Sequence, residues 1–333
     1  YVAGDALGVV PHNPEEQVDE ILEHLPFDVN VEVAMPNGGE SALREALITA
    51  YDIRSLTPKF LKAWQGRSDS PVLRSVVESE DRKVMNNFCW GREVIDLVTE
   101  YPANFEDGKD FVSVLKKLQP RLYSISSSLN AHPGEVHLTI AIVRYHSHGR
   151  QRGGVCSTFF SDRADGIRPG VFVHHNKAFQ LVEDNDTPII MVGPGTGIAP
   201  FRAFLEERKL RGAKGDNWLI FGNPHRKTDF LYEEQFDSLQ KDGLLNRFDL
   251  AFSRDQAEKV YVQHRMEENG QDIWSWLEDG ATFYVCGDAT HMGKDVDAAL
   301  HRIVETHGGK SEDEARYFVK ALKKEKRYQR DVY

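Results

Sequence analysis

"TPIIMVGPGTGIAPFRAF", residues 187–204, is the stretch on which the fold turns. Ile189 to Val192 read as a short buried strand, glycines follow at 193, 195 and 197, and an apolar helical pattern with Pro200 near its start begins at Ala199. A strand that runs through glycines into a helix leaves backbone N–H groups and a helix N-terminus facing an anion with no side chain in the way, which suits a pyrophosphate. The spacing departs from G-x-G-x-x-G, because Ile198 and Pro200 stand where the third glycine belongs, so an ordinary Rossmann dehydrogenase is disfavoured. A glycine-rich turn without a ligand is the plain alternative.

Downstream, "NWLIFGN", "RFDLAFS" and "ATFYVCGD" repeat the buried-strand run, and each is followed by a helical pattern. Such alternation means a doubly wound parallel sheet with helices on both faces, here over 185–333. Ser311 and Glu314 stand in capping-box spacing at the start of the last helix. At the end of the third strand, "SRDQAEKVYVQ" (253–263) offers a hydroxyl at Ser253, cations at Arg254 and Lys259 and an aromatic face at Tyr261. At the carboxyl edge of such a sheet, that set fits a 2′-phosphate and therefore NADPH.

Upstream, the period changes to two: "RLYSISSS", "EVHLTIAIVRY" and "GIRPGVFVHHN" between Gly-rich turns suggest a small antiparallel barrel. Arg121 there can pair with a phosphate, Tyr123 can cover a flat ring, and Ser124, on the opposite face, can hydrogen-bond a ring nitrogen. Ser126, Ser127 and Ser128 read as strand-edge polarity, with no chemistry assigned to the last two. "GGVCST" (153–158) leads to a helix start at "FFSDRA" and makes a second anion cradle, so two nucleotides are implied. Residues 35–118 are mostly helical patterns and read as an insert. Residues 1–34 hold a strand and a helix with Asn13 as N-cap and Pro14 at its first position. The expected domains are a barrel of 1–34 and 119–184, a helical connecting domain of 35–118, and an α/β domain of 185–333. A chain that opens inside a strand-like run suggests further sequence upstream.

Composition narrows the function classes. With 40 % hydrophobic residues, 333 residues fill two or three cores, and 41 basic against 52 acidic residues give a net charge of −11. That balance argues against a nucleic-acid surface and permits steering of a basic partner. No apolar run reaches membrane-spanning length, so a cytoplasmic protein is expected. Cys89, Cys156 and Cys286 are odd in number and far apart, and the pairs at 146/148 and 174/175 read as solvated loop histidines, so no metal site is expected.

Taken in order, "RLYSISSS", "TIAIVRY", "GGVCST", "GPGTGIAPFRAF", "FGNPHRKTDFLYEEQ", "AFSRDQAEKVYVQ", "YVCGDATHMGKDV" and the aromatic ending resemble the ferredoxin-NADP+ reductase module of diflavin reductases. "WGREVIDL" and "KRYQRDVY" resemble, within that family, the flavoprotein subunits of bacterial NADPH-dependent sulfite reductases. The resemblance implies FAD and NADPH as cofactors. FAD would be held by Arg121, Leu122, Tyr123 and Ser124, by Thr139, Ile140, Ala141 and Tyr145 on its adenine side, and by Gly154, Val155, Cys156 and Ser157 on its pyrophosphate, with Thr57 and Gly91 from the insert. NADPH would be held by Thr196, by Ser253, Arg254, Lys259, Val260, Tyr261, Val262 and Gln263 at the 2′-phosphate end, and by Asp295 near the nicotinamide side. Tyr333 would lie on the isoalloxazine ring. Ser124, Cys286, Asp331 and Tyr333 would form the catalytic group: Ser124 bonded to flavin N5, Cys286 lining the nicotinamide pocket, and Asp331 stabilising its positive charge. Implied partners are a flavodoxin-like FMN domain or carrier and a haem-containing sulfite reductase subunit. The alternatives are a stand-alone reductase of a ferredoxin, flavodoxin or other haem protein, and a non-catalytic scaffold.

Overall fold

The computed structural model describes all 333 residues, which fall into two units, one of residues 1–7, 122–140 and 173–333 and the other of 8–121 and 141–172.

The first unit is built on five parallel strands, β1 (Ile189–Val192), β2 (Asn217–Asn223), β3 (Arg247–Phe252), β4 (Thr282–Gly287) and β5 (Tyr328–Val332), in the order β3-β2-β1-β4-β5. Alternate residues of β1, β2 and β4 feed two separate cores, as the two-residue period of a strand requires. Ile190, Val192, Phe283 and Val285 pack on one side with α3 (Val262–Glu268), α4 (Gly270–Glu278), α5 (Met292–Gly308) and α6 (Glu312–Lys324). Met191, Leu219, Tyr284 and Cys286 pack on the other, with Phe201 and Phe204 of α1 (Ala199–Arg211) and Phe236 of α2 (Glu233–Lys241). Burial on both faces is why these strands read as unbroken apolar runs. The chain leaves β1 for β2 on one side, while β4 lies on the other, so the glycine loop after β1 sits where the strand order reverses and ligands bind in open α/β sheets. The capping box at Ser311 and Glu314 forms as expected.

The second unit is mainly helical. Its core is an aromatic cluster in which Trp64 packs against Phe60, Phe105 and Phe111. Thr57 and Ser70 cap the helices Pro58–Gln65 and Pro71–Glu78, each with Pro at the first position. Asn13 is not the cap expected of it. The helix starts at Glu15 behind Pro14, and Asn13 is buried, donating Nδ2 to the carbonyls of Leu47 and Tyr51 at 2.7 Å each.

Three expectations for the strand-rich part change. Ala6–Val9, Arg121–Ser124 and Val171–His174 form a three-stranded sheet with the first in the middle, and Arg144–Ser147 pairs with Arg150–Gly153 as a separate hairpin, so no closed barrel ladder is present. Within "EVHLTIAIVRY" only the Ile125–Leu138 bridge and the strand from Arg144 form, since 139–143 find no ladder partner and Ile142 and Val143 are exposed. The helix after Gly154 begins at Val155, inside the motif rather than after it. No helix is long and apolar enough to cross a membrane.

Candidate functional site

In the first unit, a cavity of about 600 Å³ opens beyond the ends of β1 to β4, lined by Gly195, Ser253, Arg254, Lys259, Tyr261, Val262, Gln263, Asp288 and Asp295 among others. Each loop glycine has its own reason to be there. Gly195 holds φ +58°, a conformation that favours glycine, and an added Cβ would meet Asn223 Oδ1 alone, at an ordinary contact distance of 3.9 Å. At Gly197 an added Cβ would stand 2.1 Å from the Cys286 carbonyl oxygen, and at Gly193 it would meet the Gly197 carbonyl at 2.5 Å. Two glycines therefore let backbones touch, and the third bares the loop to the cavity. Gly197→Ala is expected to cost about 2–3 kcal/mol, measured by urea unfolding, because the atom it strikes is backbone and cannot turn aside.

Cations without partners mark one side of this cavity. Arg254 and Lys259 form no salt bridge, although Asp255 stands next to Arg254, because that carboxylate is taken by the Arg226 amide at 2.8 Å and by His225 at 3.0 Å. Asp255 is accordingly held below the usual carboxylate range. Two unpaired cations beside Ser253 and a bare glycine loop form the donor set that a dinucleotide with an extra phosphate would satisfy. Asp295 lines the same cavity and accepts from Gln263 at 3.3 Å. Asp288 accepts three backbone amides, of Thr290, His291 and Met292, and its pKa drops to about 2.

A second group gathers around Asp331. Parallel pairing sets Cys286 of β4 opposite Asp331 of β5, and Oδ2 of Asp331 receives the Ser124 hydroxyl at 2.9 Å and the Cys286 thiol at 3.8 Å. Burial raises Asp331, and burial with the adjacent acid holds Cys286 far up, so Cys286 stays a neutral thiol that donates. Tyr333 is fixed by backbone bonds to Gly287 and Ala289 and by its hydroxyl, 3.2 Å from Thr196 in the glycine loop. Its pKa is pushed up to about 12, chiefly by burial of the hydroxyl end, while the residue as a whole stays 63 % exposed. Four residues singled out in the sequence at 124, 286, 331 and 333 thus converge within one unit.

The serine ladder belongs to the same unit and is not strand-edge polarity. Ser126, Ser127 and Ser128 are fully buried, and Ser128 donates its amide to Glu206 at 2.9 Å and its hydroxyl to Glu207 at 2.5 Å, both on α1. Arg202 of α1 donates to the Ser126 carbonyl at 2.6 Å, and Ser127 meets the Tyr1 hydroxyl at 2.9 Å. Thr139 pairs with the Tyr232 hydroxyl at 2.6 Å. His132, Glu135 and His137 bring ligand-type atoms within 4.8 Å of one another, but Arg202 also donates to His137 Nδ1 at 3.2 Å, so they complete this polar network.

The second unit holds the other cradle. Gly154 precedes the helix Val155–Asp162 with no side chain capping its first amides. Arg54 contacts the Gly153 carbonyl and Arg163 the Val155 carbonyl, and the buried Nε of each has no acceptor. Burial also draws both guanidiniums below their ordinary pKa. Orphaned cationic N–H groups at an uncapped helix start fit a diphosphate. Sequence reading missed Arg54 and Arg163; their only signal was nearness to Thr57 and to the helix after "GGVCST". In this unit Tyr145 and Ala141 are exposed, Arg121 donates to the Gln119 carbonyl at 2.9 Å, Thr57 is the helix cap, and Gly91 holds φ +73°.

Comparison with known proteins agrees with both halves. An FAD binding domain matches residues 72–159, and an oxidoreductase NAD-binding domain matches 191–298. The chain thus carries an FAD-binding and an NAD-binding domain, with FAD and a nicotinamide dinucleotide as its cofactors. Across its whole length it is 45 % identical to the NADPH sulfite reductase flavoprotein alpha-component of Bacillus subtilis (strain 168), 46 % to that of Shewanella sp. (strain MR-4) and 43 % to that of Vibrio cholerae. The chain spans about half the length of these relatives, 54–55 % of each.

Proposed function

We propose that this chain is the NADPH-oxidising module of a sulfite reductase flavoprotein, passing electrons to an FMN domain or carrier and on to a haem-containing subunit in the cytoplasm. One observation carries the reading: Ser124, Cys286 and Asp331 meet within hydrogen-bond reach while Tyr333 touches the glycine loop of the dinucleotide cavity. The names of the relatives supply the acceptor. The proposed domains are an FAD-binding domain of 1–34 and 119–184, a connecting domain of 35–118 and a nicotinamide domain of 185–333.

FAD, when bound, accepts two electrons from a reduced nicotinamide and releases them singly. It would be held by Arg121 to Ser124, by Thr139 to Ala141 and Tyr145, by Gly154 to Ser157 with Arg54 and Arg163, by Thr57 and Gly91, and by Tyr333. Thr196, Ser253, Arg254, Lys259 to Gln263 and Asp295 would bind NADPH. Asp331 holds a negative charge where a nicotinamide ring turns cationic, and Cys286, kept protonated, supports that charge by donating to it. The Ser124 hydroxyl, anchored on Asp331, is oriented rather than free to rotate. Purified protein loaded with FAD should be yellow and bleach with NADPH under anaerobic conditions; failure to bleach would favour a non-catalytic scaffold. Dye reduction without reduction of a sulfite reductase subunit would favour the stand-alone reductase.

Arg254→Ala tests the cofactor assignment. Loss of one charge-assisted hydrogen bond is expected to weaken NADPH binding by about 1.5–3 kcal/mol and to spare NADH, as read from the KM of each in dye reduction. Equal losses for both would remove Arg254 from the 2′-phosphate.

A further inference from the structure

Asp331 has a third donor. Nδ2 of Asn176 lies 3.3 Å from Oδ1, so the two carboxylate oxygens are divided, Oδ1 to Asn176 and Oδ2 to Ser124 and Cys286. The orientation of this amide is set by its other end, where Oδ1 of Asn176 accepts the Ala178 amide at 3.3 Å and so leaves Nδ2 facing the acid. Its backbone is held as well. The Asn176 amide donates at 3.1 Å to Asp5, a fully buried carboxylate that also receives the Val2 amide and meets His175 Nδ1, each at 2.9 Å.

We infer that Asn176 is a positioning residue, which aims the Asp331 carboxylate at Ser124 and Cys286 and keeps it in its charged form. The inference rests on the reading of Asp331 as the acid beside the nicotinamide. Burial works against the charged form, and few groups oppose it. The donors are Ser124, Cys286 and Asn176, His174 adds a favourable charge, and Tyr333 and Cys286 feel the carboxylate as an unfavourable one. With so few donors on a partly buried acid, the loss of one shifts its titration and loosens its aim together. The contact is formed by a residue 155 positions away in sequence, in a segment that carries no motif of its own.

The test uses the full chain loaded with FAD and two variants. Asn176→Leu removes the donor at nearly constant shape; Asn176→Asp keeps the acceptor for Ala178 and sets a second carboxylate against the first. The titration of Asp331 is followed by carboxyl ¹³C NMR, with its signal assigned by its absence in Asp331→Asn. NADPH-driven ferricyanide reduction is measured over the same pH range. In Asn176→Leu the Asp331 midpoint should rise by about one unit, with a larger rise in Asn176→Asp. The acid limb of kcat should move up by the same amount, so that activity lost near neutral pH returns on raising the pH, while KM for NADPH stays within about twofold because the dinucleotide cavity is untouched. An unchanged Asp331 midpoint in variants that fold and retain FAD would overturn the inference. A shifted midpoint with an unmoved kcat profile would uphold the positioning of Asp331 and remove the catalytic role proposed for it.

Discussion

Arg152→Met is expected to lower the stability of the 8–121 and 141–172 unit by about 3–5 kcal/mol, the cost of leaving buried charge unpaired. The Arg152 side chain is 2 % exposed and binds Asp96 through Nη2 at 2.6 and 2.7 Å and Glu93 through Nη1 at 3.2 Å. Both carboxylates are nearly as buried as their partner, and Asp96 also caps its own helix by accepting the Glu93 amide at 2.7 Å. What remains after the substitution is weaker: Arg54 lies 3.7 Å from Glu93, Arg150 lies 3.7 Å from Asp96, and Gln17 donates to Glu93 at 2.6 Å. Because Arg152 leads directly into Gly153 and Gly154, loss of bound FAD should precede loss of helix on adding urea, followed by flavin fluorescence and far-UV circular dichroism. Replacing Arg152, Glu93 and Asp96 together with Met, Gln and Asn should recover part of the loss, since no bare charge is then buried. A change under about 1 kcal/mol in the single variant would mean that water reaches the cluster.

Tyr333→Ala is expected to raise kcat/KM for NADH relative to NADPH by about tenfold or more, equal to about 1.4 kcal/mol of transition-state discrimination. If the ring covers the place where the nicotinamide must lie, both cofactors have to displace it. NADPH can offset that cost through Arg254 and Lys259, and NADH cannot. Deleting the ring removes the cost for both, so the relative gain falls to the cofactor that lacked compensation. The two backbone bonds at Gly287 and Ala289 hold the main chain of Tyr333, while its hydroxyl meets Thr196, so displacing the ring would break that side-chain contact and leave the backbone bonds in place. An unchanged ratio, measured at saturating FAD, would count against any gating by Tyr333.

The α/β half was legible because its determinants are local. Strands buried on both faces read as apolar runs, and the turn after β1 announces itself with three glycines that the packing around Cys286 and the cavity separately require. The capping box at Ser311 and Glu314 spans four residues and forms as written. Misreadings arose where distant partners decide. Asn13 has the chemistry of a cap, yet two carbonyls 34 and 38 residues away claim its amide. "EVHLTIAIVRY" alternates like a strand, but alternation supplies a face and not a ladder partner. Arg152 and Asn176 gave no sequence signal, and Arg54 no more than nearness to Thr57, because a single Arg or Asn takes its meaning from acids, carbonyls and an uncapped helix start found elsewhere in the chain. The site residues proposed at 286, 331 and 333 came from the family resemblance, since each alone reads as a strand or tail residue, whereas Ser124 also drew notice by its place on the strand.

The bonds from Ser126 and Ser128 to Arg202, Glu206 and Glu207 bear on how this protein can be dissected. A recombinant fragment started at residue 185, where the pattern of the chain invites a cut, would keep both acids with their Arg202, Gln235 and Arg211 partners and lose the hydroxyl and amides of Ser128 and Asn130 that complete their bonding. Such a fragment should be poorly soluble or pH-sensitive, whereas one that retains 122–140, spliced ahead of 173, carries its own complement.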